Sequence, residues 1–356
     1  MSQSQPDSRM QVAVATIGAA LLLTVLLLIS VSSTPYAAVR AFFIGPFSNR
    51  FYLGNMLNVF SMLSITGLGM AVAFRAGVFN LGGEGQVYVS ALTATVAGIA
   101  LASLPALLGL PIALLVGVFT GAVIAGLSGL FRHLWDTDEL ITSFLIASAS
   151  IPIVDYLIVG PLNDQASNLL TTERVPLAFR LPRLLAPSQL NPTLIIALLL
   201  LAAAYVALFR TVRGYEWRLS GLNRQFARYG GIHTGAYIVF PMLVSGALHG
   251  LAGGLFVYGT HYATLVGFTA GLGWNGIAVA LIAKRHPLGV VPAAAAFAYL
   301  ESGARIAMLH TDFTFELGTI IRAVIFLFVT ASVLPKLGIS TRVGRSIRLL
   351  FRGGSA

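Results

Sequence analysis

Acidic side chains are scarce in this chain, 12 in 356 residues, so each one inside an apolar stretch is a candidate for chemistry. Glu84 stands in Gly77-Val78-Phe79-Asn80-Leu81-Gly82-Gly83-Glu84-Gly85-Gln86, where four glycines in ten residues interrupt a regular helix. Two readings are open: a turn on the inner side between two spans, or a break at membrane depth. Interrupted backbone at that depth is tolerated only where protein covers it or water lines it. The break is the expectation, with Phe79, Asn80 and Glu84 along a polar path. A second stretch, Gly267-Phe268-Thr269-Ala270-Gly271-Leu272-Gly273-Trp274-Asn275-Gly276, has the same character. There Trp274 and Asn275 form either a ligand platform or an interfacial ring beside a capping amide. Asp155, next to Tyr156, either meets water at the outer end of a span or serves the path. Glu301 and Arg305 are four apart and pair on one helix face. Glu316 and Arg322 are six apart and do not.

Several chemistries are excluded. There is no cysteine, hence no thiolate nucleophile, disulfide, zinc-thiolate site or iron–sulfur cluster. The six histidines (133, 233, 249, 261, 286 and 310) are scattered, each reading as a loop or interfacial residue rather than a metal ligand. Neither lysine, Lys284 or Lys336, follows a glycine, so no phosphate-binding loop of the G-x-x-x-x-G-K-[ST] type exists. The chain reads as a protein without enzymatic chemistry of its own.

The elements that must position these residues follow from composition. Apolar residues make up 57% and charged residues 10%, with a mean hydropathy of +0.86, whereas soluble domains carry about 25% charged residues. The fold class is therefore all-α, a polytopic membrane protein, and the net charge of +10 does not indicate nucleic-acid binding. Ten spans are expected, over 11–33, 51–75, 86–103, 105–131, 138–160, 192–210, 234–258, 267–283, 288–308 and 315–334. The runs are continuous rather than alternating, which excludes transmembrane strands. The first apolar run, Val12–Val31, exceeds the ~7–15 residues of a signal-peptide core, so it is expected to stay as a helix.

Basic residues orient the bundle. With the N-terminus inside, 15 of the 22 lysines and arginines fall on the cytoplasmic side. Five (Arg40, Arg50, Arg174, Arg180, Arg183) fall outside, and Arg305 and Arg322 lie within spans. Both termini are expected to be cytoplasmic. A peripheral first helix (11–33) precedes a first half (51–160), an outer loop (161–191), a basic inner loop (211–233), a second half (234–334) and a basic tail (335–356) suited to anionic lipid. The glycine-rich stretches occupy comparable places in the two halves. The offset of five spans would invert the second half relative to the first, as in many transporters. Gly246, Gly250 and Gly254, like Gly117 and Gly121, recur every fourth residue and suit close helix approach.

Three blocks resemble the permease subunits of bacterial ABC importers of the branched-chain amino acid/ribose superfamily, in its nucleoside and simple-sugar branch. Ala73-Phe74-Arg75-Ala76-Gly77-Val78-Phe79-Asn80-Leu81-Gly82-Gly83-Glu84-Gly85-Gln86 is similar to F-R-A-G-x-F-N-I-G-x-E-G-Q. Gly221-Leu222-Asn223-Arg224-Gln225-Phe226-Ala227-Arg228-Tyr229-Gly230-Gly231-Ile232 is similar to G-x-N-P-x-A-A-R-Y-A-G-I, with Arg224 in the place of proline. Gly273-Trp274-Asn275-Gly276-Ile277-Ala278-Val279-Ala280-Leu281-Ile282-Ala283, followed by Pro287-Leu288-Gly289, is similar to G-F-x-G-I-A-V-A-L-L-G…N-P-L-G. Ala147 departs from the asparagine that ends a related N-E-V-I-x-T-x-M-L-N stretch, here beginning at Asp138-Glu139.

The resemblance implies a membrane-spanning importer subunit without its own cofactor, ATP and magnesium being held by a partner ATPase. It implies a coupling helix that docks the ATPase through Gly221, Asn223, Arg224, Ala227, Arg228, Tyr229 and Gly231. It also implies an extracytoplasmic substrate-binding lipoprotein, a second and different permease chain, and residence in the bacterial cytoplasmic membrane. Nucleosides, related purines or simple sugars are the implied cargo. The competing expectation is a secondary transporter coupled to an ion through Glu84 or Asp155.

Overall fold

The computed structural model describes residues 32–312, with five further positions at 25, 26, 29, 320 and 323. The first expected span (11–33, save its end), the tenth (315–334) with Glu316 and Arg322, and the tail 335–356 lie outside the described residues.

Eleven α-helices are described: α1 (Pro35–Phe43), α2 (Arg50–Arg75), α3 (Gly83–Ala100), α4 (Ala106–Trp135), α5 (Glu139–Val159), α6 (Thr193–Phe209), α7 (Val212–Leu222), α8 (Arg224–Tyr229), α9 (Ala236–Phe256), α10 (Leu272–Ile282) and α11 (Pro287–His310). Side-chain caps start several of them: Asn49 before α2, Asp138 before α5, Thr211 before α7 and Asn223 before α8. Eight of the ten expected spans coincide with α2–α6, α9, α10 and α11. Four helices are long and apolar enough to cross a membrane alone (Arg50–Arg75, Ala106–Trp135, Glu139–Val159 and Ala236–His261), and α6 with α7, bent by 77°, makes a fifth candidate.

The chain divides into two compact units. In the larger, residues 47–299, α2 is the central element and almost wholly buried, with Ser61, Ser64 and Thr66 buried along it. The Thr66 hydroxyl donates to the Met62 carbonyl within the helix, 3.2 Å away. By contrast α4 and α5 leave most of their length exposed, with Leu107, Leu115, Phe119, Ile153 and Tyr156 outward. Such a face is stable only against other apolar matter, here the bilayer.

The helix α9 runs against α4, α3 and α2, while α10 runs against α2 and α3. The two glycine rows read from the sequence face each other. A Cβ on Gly246 would lie 2.1 Å from the Gly121 carbonyl oxygen, and one on Gly250 would lie 2.3 Å from that of Gly117. Backbone meets backbone there, which only glycine permits.

Three details differ from the sequence expectation. Helix α10 starts at Leu272 rather than 267, because Gly267, Ala270 and Gly271 all have positive φ. Helix α3 starts at Gly83, which puts Glu84 in a first helical turn. The loop over 161–191 forms one 3₁₀ turn, Leu177–Phe179, and pairs Thr171 with Leu265 through an isolated bridge. The smaller unit, residues 1–46 and 300–356, is described through α1 and the end of α11. Gly303 backs onto the Phe42 carbonyl, and Asp312 accepts hydrogen bonds from Ser32 and Ser33. Glu301 and Arg305 pair at 3.3 Å, as their spacing predicts.

Candidate functional site

The chain leaves α2 at Gly77, whose φ of +72° turns it back. The Val78 N–H still bonds the Ala73 carbonyl of α2 (3.3 Å), and beyond it side chains receive the backbone N–H groups of Phe79, Leu81 and Gly82. The Phe79 N–H donates to Glu139 Oε1 (3.0 Å) and the Leu81 N–H to Ser143 Oγ (3.0 Å), both on the first turns of α5. Glu139 is buried and forms an ion pair with Arg132 at the end of α4. Asn80 is fully buried. Its Nδ2 donates to Gln86 Oε1 and to Ser245 Oγ of α9, each 2.9 Å away. Its Oδ1 accepts from the Gly82 N–H and from Gln86 Nε2. The amide is saturated by protein partners.

The second break is held from the first. Glu84 is 8% exposed, and its two carboxylate oxygens accept the N–H groups of Gly271 (3.0 Å) and Gly273 (2.7 Å). Those are first-turn donors of α10, which lack helical partners. Gly273 comes so close that a Cβ on it would lie 2.2 Å from the Glu84 nitrogen. The N-termini of α3 and α10 therefore meet. Each carries positive partial charge, and the Glu84 carboxylate lies where that charge is greatest. One turn further along α3, Tyr88 donates to Asp155 (2.5 Å) and accepts the Gly267 N–H (3.0 Å). Asp155 thus anchors α5 to the start of the second break.

The sequence reading singled out Asp155 but missed Tyr88, Glu139, Ser143 and Ser245. The spacing i, i+4 of Glu84 and Tyr88, and of Glu139 and Ser143, was the available signal. It also missed the burial of His249, whose Nδ1 lies 2.7 Å from the Ser245 carbonyl oxygen and whose ring fills the space beside Gly69 and Gly83.

Of the five residues expected along the path, the structure gathers Asn80, Glu84, Trp274 and Asn275 around the two breaks. Phe79 sits where the chain leaves α2, its ring against Phe74. Trp274 is 41% exposed and faces Phe144 at 5.9 Å, and Asn275 is half-buried. Ala147 is buried against Gly85. Among the described residues no group of three histidine, aspartate or glutamate side chains is placed to hold a metal.

The inner loop forms α7 and α8. Trp217 Nε1 donates to the Val72 carbonyl (3.1 Å), and a Cβ on Gly221 would lie 2.2 Å from the Arg75 carbonyl oxygen. So α7 is seated on the end of α2. Asn223 caps α8 through the Phe226 N–H (3.0 Å). Ala227 is buried beneath α8, while Phe226 and Tyr229 project from it, Tyr229 92% exposed. Arg228 donates to Thr234 (3.0 Å). Burial, and then the nearby Arg132 and Arg228 guanidiniums, lower the pKa of Arg224 from the usual arginine range. Gly231, at φ +81°, has open space around it. The result is a short, basic, aromatic projection.

Comparison with known proteins gives one consistent family. Residues 52–348 match the branched-chain amino acid transport system / permease component family. The chain is 33% identical to the "Probable riboflavin import permease protein" of Treponema pallidum, over 84% of this chain and 80% of that protein. It is 30% identical to a guanosine ABC transporter permease protein of Bacillus subtilis, over 81% and 83%. With a glucose ABC transporter permease protein of Haloferax volcanii the identity is 29%, over 90% and 86%. No solved structure matches the chain.

Proposed function

We propose, because this chain belongs to the branched-chain amino acid transport permease family, that it carries nucleoside-like solutes across the bacterial cytoplasmic membrane. It is a multi-pass permease subunit of an ABC importer. ATP is hydrolysed in a partner subunit, and a substrate-binding protein completes the system. The proposed cargo is an aromatic heterocycle bearing a hydroxylated chain or ring, a chemistry that guanosine and riboflavin share. One observation carries that choice: Trp274 is the large aromatic exposed at the meeting point of the breaks, with the Asn275 amide beside it. Heterocycles stack on such rings, and amides read their polar edges.

In this reading Trp274, Asn275 and Phe79 line the path directly. Asn80 and Glu84 shape it by holding its backbone. Ten spans with both termini cytoplasmic, and a second, different permease chain, complete the proposal. The pairing of α2 with α10 and of α9 with α3 supports two inverted halves. The 11 residues of α10 rise about 16 Å, half of a ~30 Å hydrocarbon core. With the turn that follows α10 taken as the inner boundary, that rise supports a Glu84 near the midplane.

The α7–α8 projection is proposed to dock the ATPase through Asn223, Arg224, Arg228, Tyr229 and Gly231, with Gly221 and the buried Ala227 seating it on the bundle. The test is uptake of labelled guanosine, riboflavin and glucose into vesicles holding this chain with its ATPase and binding protein. Uptake of guanosine or riboflavin that needs internal ATP is expected. Uptake without ATP that an ionophore abolishes would overturn the reading in favour of ion coupling.

A further inference from the structure

Two side chains of α5 hold the backbone of the first break, beside the ties that Asn80 makes to Gln86 and Ser245. Phe79 and Leu81 lost helical partners when the chain left α2, and both replacements, Glu139 and Ser143, come from one face of the first turns of α5. A rigid displacement of that turn pulls on residues 79–81, because leaving it behind would strip two backbone N–H groups of their acceptors. The break in turn carries α10, through the Glu84 bonds to Gly271 and Gly273.

The same turn is also reached from the inner surface. Arg228 of α8 donates to Thr234, which is buried in the turn leading to α9. The next residue, Gly235, is packed on His133; a Cβ there would lie 2.5 Å from the His133 ring. His133 neighbours Arg132 in the last turn of α4, and Arg132 grips Glu139. The series runs through one hydrogen bond, the seat of Gly235 on the His133 ring, and one ion pair, joined by adjacent residues of the chain. Lateral slip is limited as well. Gly129 and Gly126 hold the inner end of α4 tightly against Met242 and Leu243 of α9.

We infer that Glu139 is a positioning residue for transport. It links movement of the α8 projection to the glycine breaks, with Arg132 as its handle and the Phe79 N–H as its load. The inference rests on the importer reading above, and it assigns a role to a buried carboxylate that touches neither substrate nor ATPase. A purely structural Glu139 would affect stability but not the response of the breaks to nucleotide.

The chain has no cysteine, so Asn275→Cys gives a single labelling site in this chain beside the second break, and labelling is read on this chain's band after separation from its partners. The rate of maleimide labelling is measured in the assembled importer, in lipid nanodiscs, with and without ATP. The parent rate is expected to change about tenfold, in the range of ordinary coupling between sites. Adding Glu139→Gln keeps an acceptor for Phe79 but removes the charge that Arg132 holds, and should cut the ATP response to less than about twofold. Ser143→Ala, which removes no charge, should weaken the response in the same direction. The ATPase should co-purify with both variants as with the parent.

An undiminished ATP response in Glu139→Gln overturns the inference. Loss of ATPase co-purification in that variant overturns it too, by making Glu139 part of the docking surface. If ATP changes labelling in no protein, including the parent, the importer reading itself has failed.

Discussion

Replacing Glu84 by glutamine tests whether one carboxylate holds the two breaks together. The wild-type side chain accepts two backbone N–H groups, from Gly271 at 3.0 Å and Gly273 at 2.7 Å, and is 8% exposed. A hydrogen bond to a charged acceptor contributes about 1.5–3 kcal/mol, and a neutral one about 1 kcal/mol. Glutamine has one acceptor oxygen, and its amide hydrogens would face the second donor. The loss is therefore about 3 kcal/mol, roughly a hundredfold in the equilibrium for releasing the start of α10. Amide hydrogen exchange of the purified protein in nanodiscs reads this directly. Protection over residues 271–275 should fall about a hundredfold in Glu84→Gln, while that of α9 stays within a few-fold. Glu84→Asp, too short to reach both donors, should fall between. A change below about threefold over 271–275 would refute the assigned role and leave the close approach of Gly273 as the main tie.

Three further outcomes follow from the same geometry. Trp274→Ala should lower guanosine or riboflavin uptake about 5- to 100-fold, the value of one ring stack, with ATPase co-purification retained; full uptake would remove Trp274 from the path. Arg228→Glu should abolish retention of the ATPase on affinity purification while changing thermal stability by less than about 1 kcal/mol, since its hydrogen bond to Thr234 lies at an exposed site; unchanged uptake would sink the docking assignment. Gly246→Ala places a methyl 2.1 Å from the Gly121 carbonyl oxygen, where backbone cannot yield, and should cost about 1–3 kcal/mol as a fall in melting temperature; an unchanged melting temperature would mean that α4 and α9 can separate.

Much of this architecture is legible before any coordinates. Hydropathy marks eight of the described helices because lipid exposure demands long apolar runs. The glycine rows on α4 and α9 announce their own contact, since only close approach explains glycine at every fourth position. The breaks are visible as glycine clusters. Their joining is not: nothing along the chain says that Glu84 reaches residues 187 and 189 positions away. Glu139 shows the limit most clearly. In the sequence it is an ordinary first-turn acid after an Asp138 cap, and only the fold reveals that it is buried beneath the Phe79 backbone. Helix α1 escapes for the opposite reason: it is short, sits between spans, and offers no period long enough to read.

The polar groups that look most like ligands in the sequence are those the fold has already paired. Asn80 spends both ends of its amide on Gln86, Ser245 and Gly82, and Glu84 spends both oxygens on α10. A solute passing the breaks could not bind these groups without unfastening the helices they join, and an unpaired buried donor is costly. What remains for it is the exposed face of Trp274 and the half-buried Asn275 amide. In the proposed path such a surface would offer stacking and few fixed hydrogen bonds, which predicts weak holding and tolerance of variation in the cargo's polar edge. Weak holding suits a subunit that receives solute from a binding protein and must release it inside. It follows that substitutions at Asn275 should alter which heterocycle is carried, whereas substitutions at Asn80 should impair all cargoes alike. Parallel uptake of guanosine and riboflavin by Asn275→Ala and Asn80→Ala decides the matter: equal selectivity changes in both would mean that Asn80 meets the solute after all.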